Sequence, residues 1–99
     1  MKNLELRGTI ARAHARLGRD GLKYHDIEII ADDLAGAASI MRRADRQDVR
    51  DASAKIAWAV VVLDDEKRRS SRFDDARAWI FQAMNMLGIR RLDPTMEAE

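Results

Sequence analysis

His25 and Asp26, followed by Glu28, Asp32 and Asp33, are the residues of this chain best suited by type and spacing to do chemistry. On a helix, side chains three and four apart share a face. His25, Glu28 and Asp32 would then stand together, offering an imidazole nitrogen and two carboxylates to a divalent cation. The same acids also suit the first turns of a helix, where unpaired amides and the positive end of the dipole favour negative charge. The second reading asks nothing else of the chain and is preferred.

No enzyme class finds its full equipment. A His-Asp pair marks the HD phosphohydrolases, but those need further histidines on other helices, and here the only other one is His14. The paired Glu-x-x-Glu motifs of all-α nucleotide pyrophosphatases do not occur, so Asp64-Asp65-Glu66 and Asp74-Asp75 read as solvated helix ends. There is no Gly-x-Ser-x-Gly elbow and no glycine-rich phosphate loop. With no cysteine, disulfides, thiolate metal sites and cysteine nucleophiles are excluded. The expectation is a protein that is not an enzyme and has no catalytic residue, metal or cofactor.

Residues suited to contacting a partner are easier to find. Arginines cluster at Arg42, Arg43, Arg46 and Arg50, at Arg12, Arg16 and Arg19, and from Lys67 through Arg68 and Arg69 to Arg72. Each cluster has acidic neighbours, but the first lies around one interhelix corner, where it would suit an acidic protein or a nucleic-acid backbone. Trp58 stands off the main apolar stripe of its segment with Val61, Val62 and Asp65 on the same side, a candidate exposed patch or dimer seam. Trp79 sits beside the stripe of Ile80 and Ala83 and is expected in the core.

The elements that must position these residues follow from apolar periodicity. Leu6, Ile10, Ala13 and Leu17 predict a first helix from about Asn3 to Leu17, with Gly18 as its C-terminal cap and a turn through Gly18-Arg19-Asp20-Gly21. Ile27, Ile30, Leu34, Ala37, Met41 and Ala44 predict a second helix, starting near His25 or Asp26 with Asp26 as cap. Gly36 in its middle would permit close helix contact. Continuing that stripe lands on Asp48, Asp51 and Lys55, whereas the apolar residues are Val49, Ala52, Ile56, Ala59 and Leu63. The slip in phase predicts a break at Asp45 to Gln47, with Asp45 capping a third helix that runs to about Ser70. Ser71 and Asp74 form a capping-box pattern for a fourth helix, striped by Phe73, Ala76, Ile80, Ala83 and Leu87 and ended by Gly88.

One stretch carries a resemblance. Ile30 to Ala44 is similar to a helix-turn-helix motif, with a small residue at Ala31, a glycine at Gly36 and basic residues at Arg42 and Arg43. It implies a DNA-binding regulator. The unbroken stripe from Ile27 to Ala44 favours a single helix instead.

The bulk numbers bound the rest. At 99 residues, 46% apolar and 35% charged, the chain fits one soluble domain, helical over 1–89 with a flexible tail over 90–99. A net charge of +1 creates no overall field to draw in nucleic acid or an anionic membrane. No signal peptide or membrane-length apolar run is present, so a cytoplasmic location is expected. Arginine over lysine and aspartate over glutamate suit a GC-rich bacterial genome or its phage. The expected fold is all-α, a compact bundle of about four helices with short connections. The third helix is apolar around most of its circumference, which predicts a homodimer. The expected function is a small interaction module, an adaptor or inhibitor binding a macromolecular partner such as a host nucleoprotein complex, with DNA binding as the alternative and metal-dependent hydrolysis third. Phage-encoded inhibitors of bacterial defence, anti-CRISPR proteins among them, share this size and composition.

Overall fold

A computed structural model describes residues 3–19, 21–69 and 73–90. Four helices account for most of them: α1 (Asn3–Leu17), α2 (Tyr24–Met41), α3 (Gln47–Arg69) and α4 (Asp74–Leu87), with no strand among the described residues. The helices pack in a ring, α1 on α2, α2 on α3, α3 on α4 and α4 back on α1. The α3–α4 contact is the most extensive. The fold is an all-α four-helix bundle.

The predicted stripes form its core. Ile10, Ile27, Leu34, Met41, Ile56, Leu63, Ile80 and Met84 are its largest fully buried side chains. Between them lie Ala37, Ala52, Ala59, Ala76 and Ala83, all buried, whose small side chains let the helix backbones approach closely. Val49 and Leu87 pack against this core from its edge, and Ala44 is half-buried.

The phase slip does mark a break. α2 ends at Met41, two short-range turns from Arg43 and Ala44 back to Ile40 and Met41 follow, and α3 begins at Gln47. The predicted cap is displaced: α3 begins at Gln47 and the Arg50 amide bonds the Arg46 carbonyl, so Arg46 and not Asp45 flanks the helix. Arg50 closes the corner instead, its guanidinium donating to the carbonyls of Ala44 (2.7 Å) and Asp45 (2.8 Å) and to Gln47 Oε1 (2.7 Å).

Other expectations are corrected by geometry. α2 is continuous through Gly36, so the turn of a helix-turn-helix motif is absent. Gly36 is exposed, and a Cβ there would meet nothing within 4 Å, so it serves no close helix contact. Asp26 lies in the first turn of α2 rather than at its cap, and accepts a hydrogen bond from the Lys23 amide at 3.0 Å. Gly18 does not take the left-handed conformation that Gly21 and Gly88 adopt. It is small because the Arg77 guanidinium lies where a Cβ would come within 3.0 Å. Ser70, Ser71, Arg72 and the tail from Arg91 lie outside the described residues.

With Ser71 and Arg72 outside the description, what is seen at the start of α4 is Glu66 of α3. Its carboxylate accepts from the amides of Ala76 (2.9 Å) and Asp75 (3.4 Å), although the residue is only 6% exposed. A buried carboxylate is tolerated there because helix amides and the dipole replace water as its partners.

Two stability outcomes are expected in denaturant unfolding. Glu66→Ala strands a buried amide and lowers stability by about 1–3 kcal/mol, while Glu66→Gln keeps an acceptor and costs about 1 kcal/mol through the lost charge. Gly36→Ala fills open space in a regular helix and raises stability by about 0.5–1 kcal/mol.

Candidate functional site

α3 has two opposite faces set by its register. Ala52, Ile56, Ala59, Leu63 and Glu66 point inward and are buried. The opposite stripe, Asp51, Ala54, Trp58, Val61, Asp65 and Arg68, is exposed along its whole length. Trp58 is 55% exposed and Val61 59%. Large apolar side chains left in water at the middle of the longest helix are the clearest departure from economical burial in this fold.

Trp58 does not stand alone. Its ring stacks on Trp79 of α4, centroids 6.3 Å apart and planes inclined by 24°. Lys55 places its ammonium 5.0 Å from the centroid of the Trp79 ring. Trp79 is therefore half-buried at the edge of the core, with Trp58 stacked on it, rather than enclosed. Val62 is half-buried and packs against the core, so it supports this patch from beneath more than it extends it. Seven residues after Trp79, and so on the same side of α4, Met86 is also exposed.

The arginine corner divides. Arg46 is bound to Asp48, with Nε 3.1 Å from one carboxylate oxygen and Nη2 2.5 Å from the other. Arg50 is committed to the backbone carbonyls that close the corner. Arg42 and Arg43 are exposed and make no side-chain hydrogen bond or ion pair among the described residues. Arg68 is exposed and only 3.9 Å from Asp64, a loose pair. The side chain of Arg69 and all of Arg72 fall outside the described residues.

The His25 cluster does not assemble. Glu28 and Asp32 line a groove of about 490 Å³ between α2 and α3, together with Asp64 and Lys67, and His25 does not join them. Among the described residues no three histidine, aspartate or glutamate side chains are grouped to hold a metal ion. At the groove's end Lys67 spans α3 and α2, its ammonium 3.0 Å from Asp64 and 4.9 Å from the centroid of the Tyr24 ring. The hydrogen bond from Lys67, then its charge, holds the Asp64 carboxyl below its ordinary range. The same bond raises the Lys67 ammonium above its own.

Residues that the sequence reading passed over fix the geometry around these surfaces. Arg7 of α1 donates to the carbonyls of Leu87 (3.0 Å) and Gly88 (3.1 Å) at the end of α4. Arg77 of α4 reaches the carbonyl of His14 in α1, 3.4 Å away. A recess of about 330 Å³ opens at this end of the bundle between Leu6, Arg7, Met41, Val49 and Leu87. Periodicity alone cannot reveal such long-range arginine caps. Glu66 did leave a signal, since it continues the buried stripe of Ile56, Ala59 and Leu63.

The Asp64–Lys67 bond gives a pH dependence of definite sign. A depressed carboxyl pKa stabilises above the ordinary carboxylate range and stops doing so as pH falls through the folded value. A raised ammonium pKa stabilises below the ordinary lysine range and fades as pH rises through its folded value. Asp64→Asn should therefore be less stable than the wild-type chain at neutral pH, with the gap closing in acid, as read by denaturant unfolding across pH. No protein-family model, curated protein or solved structure matches this chain.

Proposed function

We propose that this chain is a small non-enzymatic interaction module, an adaptor or inhibitor that works by associating with other macromolecules. The exposed Trp58, stacked on Trp79 and set beside Val61, carries the reading. Tryptophan is the residue most enriched where binding energy concentrates, and more than half of this one stays in water despite its stack on Trp79. Charged residues rim it, as is usual for interfaces formed between separately soluble molecules.

The buried groups with chemical potential are occupied in holding the fold. Ser53 donates to the carbonyl of Arg50 (2.5 Å), Glu66 closes α4, and the His14 ring lies 5.8 Å from that of Phe81. The unpaired Arg42 and Arg43 provide a second, cationic surface suited to an acidic protein. Nucleic acid is the competing reading for this corner. Two free guanidiniums neutralise few phosphates, and no recognition helix projects beside them. Among the described residues no helix is long and apolar enough to cross a membrane.

Affinity capture with the immobilised chain, from nuclease-treated and untreated bacterial lysate, tests the reading. The expected outcome is a stoichiometric protein that survives nuclease and is lost with the double charge reversal Arg42→Glu, Arg43→Glu. Nucleic acid alone, removed by nuclease, would replace the reading with that of a nucleic-acid binder.

A further inference from the structure

The outward stripe of α3 is self-complementary. Asp51, Ala54, Trp58, Val61, Asp65 and Arg68 repeat at intervals of three, four, three, four and three, the spacing of a helix seam that packs against another helix. All six are exposed. We infer that the occupant of this face is a second copy of the chain, its α3 lying antiparallel to the first about a two-fold axis that passes between Ala59 and Val60. The inference rests on the association reading above and names the partner for that surface.

Charge fixes both the orientation and the register. A two-fold at that point sets Trp58 against the second copy's Val61, Ala54 against the second copy's Asp65, and Asp51 against the second copy's Arg68. On the flanks, where a two-fold brings like sides of the two helices together, it sets Lys55 near the second copy's Val62 and Ala57 near the second copy's Asp64. Each contact occurs twice, as an isologous interface requires. The centre is therefore apolar and the two ends carry the two symmetry-related Asp51–Arg68 pairs. A parallel arrangement would instead face Asp51, Asp65 and Arg68 with their own copies, like against like, and opposes itself. Arg68 is available for the task, because its pair with Asp64 is loose and its side chain is 67% exposed. Trp79 and Lys55 widen the contact on the α4 side.

The test is sedimentation equilibrium of the purified full chain with a register-specific charge swap. The wild-type chain should be a dimer at about 100 µM and dissociate on dilution. Asp51→Arg alone and Arg68→Asp alone should each weaken the dimer about tenfold. The double variant Asp51→Arg, Arg68→Asp should recover most of the loss. Asp33→Arg, the same change of charge on the exposed face of α2, should leave the constant unmoved. Circular dichroism should show all variants folded, since every substituted side chain is exposed. A monomeric wild-type chain at that concentration overturns the inference, and the association reading then stands or falls by lysate capture alone. A dimer whose double variant is no better than the single ones overturns the antiparallel register.

Discussion

The arrangement of this bundle depends on charged side chains that close helix ends belonging to other helices. α4 is the plainest case. Glu66 of α3 accepts its first amides, and Arg7 of α1 donates to its last carbonyls. A helix leaves four amides and four carbonyls unpaired at its ends, and burying them without partners is costly. In a chain of 99 residues much of each helix is near an end. Supplying those partners from neighbouring helices stabilises the termini and fixes how far each helix can slide along the next. Arg77, reaching back to the His14 carbonyl, and Arg50, holding Ala44 and Asp45, do the same for α1 and the α2–α3 corner.

The outer surface inherits this positioning. Alanines along the interhelical contacts allow α3 and α4 to approach closely, but small side chains alone would tolerate several registers. With α4 pinned at both ends, Trp79 arrives beside Trp58 and the two rings stack. The cationic corner is shaped in the same way. Arg50 and Arg46 are used up in building it, which leaves Arg42 and Arg43 without a partner among the described residues.

Much of the fold was legible in the sequence because its information is local. The stripes gave the four helices and the buried side chains, and the slip between Ala44 and Val49 located the α2–α3 break. That Trp58 lies off the stripe with Val61 marked the exposed patch. The failures concern interactions that join residues far apart in the chain. Asp45 precedes an apolar run and so looks like a cap, but Arg46 takes the flanking position, and the corner is held by Arg50 donating to the Ala44 and Asp45 carbonyls. Gly18 and Gly36 were read from general glycine behaviour, and their surroundings decided otherwise. Val62 and Trp79 are both half-buried, a degree that depends on how a neighbouring helix lies across them and that spacing along one helix does not show. Arg46 and Arg50 looked like a free cationic cluster only because sequence spacing does not show that their charges are already satisfied.

α3 has to serve two faces, and this explains its composition. A helix that packs a core on one side and meets water on the other needs a single apolar stripe. α3 carries that stripe and adds Trp58 and Val61 across from it, each more than half exposed. Placing them on the longest helix, whose opposite face is locked in the core, means little conformational freedom remains to be lost on association. Trp58 is further restrained by its stack on Trp79. The stripe carries Asp51 at its start and Asp65 with Arg68 at its end, so its charges lie at the two ends and its apolar residues between them. A face that is held rigid, apolar at its centre and charged at both ends is what the proposed association would use, with the charges setting orientation and the apolar centre supplying contact.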